Sequence, residues 1–460
     1  MNTSKNVYAM QQKVSDMVWA DMVPELNKLF DSMVNEDEIL RFDTLELDLG
    51  EVTFSENNTK NIVEKVISLL KEELINKKQK LQSGSIESED VWKVNSQKTK
   101  SEHYFNIWLY WLRKGMLPSY TIPPKDDWIE FVLETLALNS NAVLALKKLL
   151  EKHPTALKRL VLQHDPQQLK SITELYTGYA QSNLLVFFEE LKAIYKTLLL
   201  KKKEPFRKLE IALWKSVFQQ VIIDEKKLNT TEICENLIGL PEFNPVIKEL
   251  NNVTRPKKNQ YPFLYSTLKK NPKIQLDATV YTKDENKVEI ETIETPSFFK
   301  NAGVVLLHPF LSALFRKLNL LENNEFKDFE SQSKAVLLIH YLATENEKPH
   351  EYEMVLPKFL CNMPVNMPVD HTLIITKDEK IEVNNVLGAA IEHWGALGNV
   401  SPDSLREGFL IREGKLEKEA SGWKLYVEHK TLDVLLDKLP WNLSIIKLPW
   451  MNDMLKVEWR

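Results

Sequence analysis

Four side chains in the last third of the chain are of types that bind metals: His308, His340, Glu392 and His393. No two of them make the i, i+4 pair of a His-Glu-x-x-His helix, and their spacing supplies no ligand geometry. The expectation is structural histidines and no metal. Cys361 with His340 or His371 has the residue types of a thiol nucleophile and its base. Within Phe359-Leu360-Cys361, however, a lone cysteine reads as a small core hydrophobe. No Gly-x-Ser-x-Gly elbow occurs. Gly-x-Gly-x-x-Gly and Gly-x-x-x-x-Gly-Lys-Ser/Thr are also missing from a chain with 12 glycines in 460 residues, so no phosphate-cradling loop is expected. The residues predict no catalytic site, no cofactor and no small-molecule substrate.

Arg255, Lys257, Lys258, Lys269 and Lys270 stand beside Tyr261, Phe263 and Tyr265. Interleaved cations and rings are what single-stranded nucleic acid stacks on and pairs with. A solvated loop with a few packed aromatics accounts for the same residues, and the net charge of −5 provides no global field for a polyanion. No nucleic-acid partner is expected. Two cysteines, Cys234 and Cys361, exclude a disulfide framework and fit a reducing cytosol. The mixed polar start with Gln11, Gln12, Lys13 and Asp16 predicts no secretory signal. Apolar runs stay far below the roughly 18 residues of a membrane helix, so no membrane span is expected.

Hydrophobic residues at 43% and charged ones at 27% are ordinary globular values. Residues 1–80 read as helix, strand, helix. Met10, Val14, Met17, Val18, Val23, Leu26 and Phe30 recur at helical spacing, with Pro24 bending or splitting the helix. Arg41-Phe42-Asp43-Thr44-Leu45-Glu46-Leu47-Asp48-Leu49-Gly50 alternates as a strand with one wet face. Ile62, Val63, Val66, Leu69, Leu70 and Leu74 restore helical periodicity. Residues 81–101 form a polar linker. Residues 102–250 form a helical region, and Pro118, Pro123-Pro124, Pro154 and Pro166 break it into short helices of a compact array. Residues 251–297, with Pro256, Pro262, Pro272 and Pro296 among Lys and Asn, make a second connection.

Residues 298–460 form a C-terminal domain. His308-Pro309-Phe310-Leu311 opens a helix, and His340-Tyr341-Leu342-Ala343 ends an apolar one. Ser401 and Pro402 suit the N-cap and first position of a helix that runs into Leu405-Arg406-Glu407-Gly408-Phe409-Leu410. Trp423 to Glu428 alternates as a strand, as do Leu455, Val457 and Trp459. Two Lys-Leu-Pro-Trp units end in Trp441 and Trp450, the second within Leu448-Pro449-Trp450-Met451. Their tryptophans either anchor partner subunits or pack inward against Leu455, Val457 and Trp459, Pro440 and Pro449 starting each turn. The terminal strand either closes the domain's own sheet or augments a neighbour's.

This order of segments resembles the C-terminal domain of contractile injection system tape-measure proteins, found in phage-tail-like particles. The Leu45-to-Gly50 segment is similar to the family's N-terminal region, and Trp111-Leu112-Arg113-Lys114-Gly115-Met116-Leu117-Pro118 to a segment that follows it. The resemblance implies a structural, non-enzymatic assembly component, made in the cytoplasm and incorporated in the particle, whose partners are inner tube, cap or baseplate proteins. An assembly chaperone or a cap or baseplate adaptor is the alternative. His308, Pro309, Phe310, Arg406, Glu407, Gly408, Pro440, Trp441, Pro449, Trp450 and Trp459 are the motif residues and candidate partner contacts. The expected fold is multi-domain and mainly α with small β elements (α+β), a helical middle lying between N- and C-terminal α+β units.

Overall fold

The computed structural model describes residues 3–35, 37–42, 45–51, 58–82, 96–118, 121, 128–199, 206–223, 229–238, 243, 261–270, 296–420 and 422–459. The fold is mainly helical with small sheets, as the sequence predicts. The chain divides into two compact units, residues 1–106 with 126–135 and residues 107–125 with 136–460.

In the first unit, α1 (Thr3–Met17) and α2 (Val23–Met33) are joined by a π-turn, Val18–Met22, closed by the Val23 N–H on the Val18 carbonyl. Pro24 explains it. Proline has no N–H for the Ala20 carbonyl, and its ring crowds that oxygen, so one turn widens instead of breaking. α3 (Thr59–Gln82) buries Ile62, Val63 and Val66 against Met17, and Leu70 and Leu74 against Leu29.

Leu45, Leu47 and Leu49 sit half-buried on these two clusters while Glu46 and Asp48 are exposed. The alternation is as expected, but residues 45–50 join no ladder among the described residues. The leucines are held by helices and not by a strand partner. The strand lies earlier: β1 (Glu38–Arg41) pairs antiparallel with β2 (Ser96–Thr99), from Glu38↔Thr99 to Arg41↔Ser96. β2 and the first residues of α4 (Lys100–Lys114) fall inside the segment read as linker. So polar a strand is placed by its backbone pairing with β1 and by its packing beside α3. Residues 83–95 lie outside the described residues.

In the second unit, prolines mark helix starts. α5 (Trp128–Leu138) ends here, and α6 (Ser140–Lys152) begins at Asn139, whose side chain accepts from the Asn141 N–H at 2.9 Å. Pro154 and Pro166 occupy the first turns of α7 (Pro154–Gln163) and α8 (Pro166–Thr177), where a missing N–H costs nothing. Asp165 and Gln168 close a capping box on α8, and Gly178 ends it in the left-handed region. α9 (Leu184–Leu199), α10 (Phe206–Ile223), α11 (Thr230–Ile238) and α12 (Pro262–Lys270) complete a packed array. Its interior is Phe187, Phe188, Leu213, Trp214, Phe218 and Leu237.

The rest of this unit wraps one apolar helix. α13 (His308–Lys317) follows the 3-10 turn Ala302–Leu307, and the two-residue strands β4 (Leu321–Glu322) and β5 (Glu325–Phe326) lead into α14 (Phe329–Thr344). All of residues 335–343 are buried, so α14 is apolar on every side and is the core axis. Shorter α15 (Val355–Leu360), α16 (Lys377–His393) and α17 (Pro402–Leu405) pack around it. β3 (Ser297–Phe299), β6 (Gly414–Glu419), β7 (Gly422–Val427), β8 (Ile445–Ile446) and β9 (Leu455–Glu458) form a sheet ordered β3-β6-β7-β9-β8. β9 pairs parallel with β7 and antiparallel with β8, so the terminal strand lies inside its own sheet. Leu416, Leu425, Val427 and Leu455 point to the core, Lys415, Lys424 and Lys456 away from it.

Gly303 is where the 3-10 turn meets residues 409–410: an added Cβ would overlap the Phe409 carbonyl oxygen. Gly303→Ala is expected to lose about 3 kcal/mol or more, because backbone on both sides must move. Gly388, exposed in α16 with nothing within 4 Å of such a Cβ, should gain about 1 kcal/mol as alanine. Urea denaturation of the two variants measures both.

Candidate functional site

The motif residues fall into three places. Phe310, half-buried at the start of α13, meets the Trp441 ring edge-on at 5.3 Å, and Trp441 Nε1 donates to the Leu306 carbonyl at 3.0 Å. His308 stands beside it with Nδ1 3.0 Å from the Val305 carbonyl, and burial pushes its pKa down. Pro309 and Pro440 are exposed. Trp450 is buried between Phe315 (5.4 Å) and Phe326 (5.2 Å) and donates to the Leu360 carbonyl at 2.8 Å. Pro449 is exposed. Trp459 is buried with no partner for Nε1 among the described residues.

The third place is a π-turn, Arg406–Leu410. Arg406 is buried and reaches the C-terminus of α14: Nε donates to the Leu342 carbonyl at 3.2 Å, and Nη1 meets Glu345 (3.2 Å) and Asp403 (2.7 Å). A cation at a helix C-terminus also complements the helix dipole. The Gly408 carbonyl accepts from buried Arg412, which pairs with Asp433 at 3.0 Å. Glu407 is exposed and Gly408 half-buried. The motif thus joins α14 to the 3-10 turn Thr431–Lys438. The structure brings Phe310 to Trp441 and leaves the Trp450 pocket and the Arg406 turn as separate clusters.

The chemically capable residues are engaged in the fold. His340 is buried and held neutral, its pKa pushed to about 4 by burial; its Nδ1 is 3.3 Å from Asn301 Nδ2. His164, a residue the sequence reading passed over, accepts from Trp108 Nε1 at 3.0 Å and sits 2.9 Å from the Leu160 carbonyl through Nδ1. Burial lowers it also to about 4. Cys361 is fully buried, which raises its thiol pKa well above the usual value, and His371 Nδ1 bonds the Leu162 carbonyl. No group of three metal-binding side chains forms among the described residues. Residues 251–260 of the basic run lie outside the described residues. Tyr261 is buried, and Phe263 lies edge-on to Phe187 at 6.5 Å, with its N–H and that of Leu264 on the Glu190 carboxylate.

Sequence reasoning missed the most unusual cluster. Arg159, Glu351 and Lys358 have fully buried side chains. Arg159 Nε meets Glu351 Oε2 at 2.7 Å, Nη2 donates to the Asn366 carbonyl at 2.7 Å, and Nη1 to that of Leu112. Lys358 Nζ meets Glu351 Oε1 at 2.5 Å and the Val365 carbonyl at 3.1 Å. Gly115, at φ +76°, lies against this cluster, and a Cβ there would overlap the Val365 carbonyl and crowd Arg159 Nη2 at 2.6 Å. The signal was present in outline: Arg159 interrupts Ala156-Leu157 and Leu160-Val161-Leu162, and Lys358 sits within Val355-Leu356-Pro357 and Phe359-Leu360.

A cleft of about 980 Å³ opens beside the edge strand β3. Met116, Leu117 and Pro118 form one wall, Tyr352 and Val355 another, and Phe298, Lys415 and Tyr426 carry the sheet into it. Asn301 and His340 line its polar part. Asn301 Nδ2 donates to the Glu353 carbonyl at 3.3 Å, which leaves Oδ1 as the free acceptor.

The motif residues mostly hold helices, turns and sheet of the second unit together, while Pro309, Pro440 and Pro449 are exposed. The family model for contractile injection system tape measure proteins matches residues 1–459, and the chain belongs to that family. No curated protein matches it, and no solved structure does. No single described helix is long and apolar enough to cross a membrane.

Glu351→Gln leaves two buried cations without their carboxylate and is expected to cost about 3–5 kcal/mol, whereas Lys358→Met leaves a balanced Arg159–Glu351 pair and should cost far less. Burial holds the Lys358 ammonium down to about 8 from its ordinary 10.5, with Arg159 adding to the shift and Glu351 opposing it. Below pH 8 both folded and unfolded chains carry that proton. Between about 8 and 10.5 only the unfolded chain keeps it, so this group's contribution to stability rises with pH across that window. The difference in unfolding free energy between wild type and Lys358→Met, followed from pH 7 to pH 10, should widen in favour of wild type.

Proposed function

We propose that the chain is a tape-measure-like structural component in the assembly of a contractile, phage-tail-like injection particle, acting through protein–protein contacts with tube, cap or baseplate proteins and not through catalysis. The match to the family over residues 1–459 carries this reading. Its reactive side chains support it: His164, His340 and Cys361 are buried and bonded or packed within the fold. The candidate contacts divide by exposure. Pro309, Glu407, Pro440 and Pro449, with the half-buried Phe310, Gly408 and Trp441, are available to partners, while Arg406, Trp450 and Trp459 hold the surfaces that present them. The chain would be made in the cytoplasm and incorporated in the particle.

A second reading, an adaptor or assembly chaperone that does not measure length, is favoured by one observation. The described middle helices are short and packed on one another; the longest, α10, has 18 residues, about 27 Å at roughly 1.5 Å each.

Electron microscopy of particles from a deletion strain tests the shared claim: tails should be absent or irregular in length, and normal particles would end it. Lengthening residues 104–297 then separates the readings. A ruler yields tails lengthened in proportion; unchanged tails leave the adaptor.

A further inference from the structure

We propose that His164 is an acid-sensitive latch: a second proton on its ring opens the contact between α4 and α7 and loosens the hold of α7 on residues 365–372. The device is a property of the fold and does not depend on which particle component the chain meets. Geometry carries it. His164 caps the C-terminus of α7 and Asp165 the N-terminus of α8, so the ring stands at the joint between two helices. Both ring nitrogens are committed. Nδ1 lies 2.9 Å from the Leu160 carbonyl, which can only accept, so Nδ1 carries the proton. Nε2 lies 3.0 Å from Trp108 Nε1, which can only donate, so Nε2 is bare. One neutral tautomer satisfies both partners. A second proton would set an Nε2–H against the Trp108 N–H, with both residues buried, and a buried charge without a counterpart is costly.

The joint is coupled to the seam through two residues of backbone. The Leu162 carbonyl accepts from the His371 N–H at 3.2 Å and meets His371 Nδ1, and the Gln163 side chain donates to the Val369 carbonyl. Turning His164 away from Trp108 therefore moves the two residues that hold residues 365–372. Charged neighbours do not reverse the effect. From α4 the ring meets the uncharged rings of Trp108 and Trp111, at 5.7 and 5.9 Å. Asp165 favours the second proton and His371, across the seam, opposes it. Asp370, beside His371, is taken up by the two hydrogen bonds from Arg207. Burial is the largest influence and holds the imidazole at about 4, below its ordinary 6.5. Above 6.5 neither the closed nor the open joint binds the extra proton. Between about 6.5 and 4 only the open one does, so the open fraction should rise about tenfold per pH unit and level off below 4.

The test uses the full chain. Hydrogen exchange, corrected for its intrinsic pH dependence, should show residues 107–114 and 365–372 opening about a hundredfold more as pH falls from about 6.5 to 4.5, while residues 335–343 stay protected. Glutamine can accept from Trp108 and donate to Leu160 but cannot titrate, so His164→Gln should stay closed over the same range. His340, also held neutral by burial, adds an acid dependence common to both proteins, so the difference between them belongs to His164. In wild type with 15N-labelled histidine, the His164 signal, assigned by its loss in His164→Gln, should keep the neutral Nδ1–H form down to about pH 5. A ring that titrates near 6.5 with the joint still closed overturns the proposal. Equal opening in His164→Gln overturns it too, as does simultaneous loss of protection at residues 335–343, which marks global unfolding. If His164→Gln does not fold, the wild-type exchange decides: no preferential opening of the two segments down to about pH 4.5 ends the latch.

Discussion

Three ionised side chains excluded from water decide how the second unit is put together. Arg159 comes from the helical array, Glu351 from a 3-10 turn and Lys358 from α15, and their side chains are fully buried. Each ion loses several kcal/mol of hydration on burial, so each must find its counterpart and hydrogen bonds in full. In this arrangement the carboxylate lies between two cations, and the carbonyls of Leu112, Val365 and Asn366 accept further N–H groups from them. A docking of the array displaced by one helical turn leaves a buried charge unpaired. Full pairing of the three charges is thus a condition that the packing of the array on the body has to meet.

Its neighbours extend the same seam. Arg207 of α10 grips Asp370 with two parallel hydrogen bonds at 2.9 Å, a bidentate fork. Gln163 donates to the Val369 carbonyl, and His371 bonds the carbonyl of Leu162. The irregular segment from Val365 to Thr372 is thus tied to α7 and α10 by polar contacts, although it forms no helix or strand of its own. Gly115 belongs to this arrangement: a side chain at that position would occupy the space that Arg159 and the Val365 carbonyl share.

How much of this was legible follows from what each signal encodes. Periodicity reports a buried face, and it located the helices and the strands Gly422–Val427 and Leu455–Glu458 well. It does not report what covers that face. Leu45, Leu47 and Leu49 alternate like a strand, but helices bury them, while polar Ser96–Thr99 is a strand because β1 pairs with it. Proline reports the backbone directly, so Pro154 and Pro166 were read correctly as breaks between short helices. Long-range pairing leaves almost no local trace. Arg159 and Glu351 lie 192 positions apart, and each alone is an ordinary charged residue. The parallel placement of β9 beside β7 and the cleft at β3 are likewise products of tertiary assembly. Trp441 and Trp450 share one local motif yet differ in burial, because different walls, Leu306 and Leu360, receive their N–H groups.

The seam also bears on whether such a body could be drawn out along a tube. Extension would return Arg159, Glu351 and Lys358 to water, which restores hydration to each, so the ionic cluster resists separation far less than its short distances suggest. What resists is apolar: Trp214, Phe187, Phe218 and their neighbours in the array, and the helix from Phe329 to Thr344 with residues 335–343 buried. Each such side chain forfeits roughly 1.5–3 kcal/mol on exposure. An extended form therefore needs another apolar surface to receive those residues, and water alone does not supply one. A ruler built on this chain would have to meet that requirement along its whole extended length, which is a far stricter condition than the ionic seam imposes.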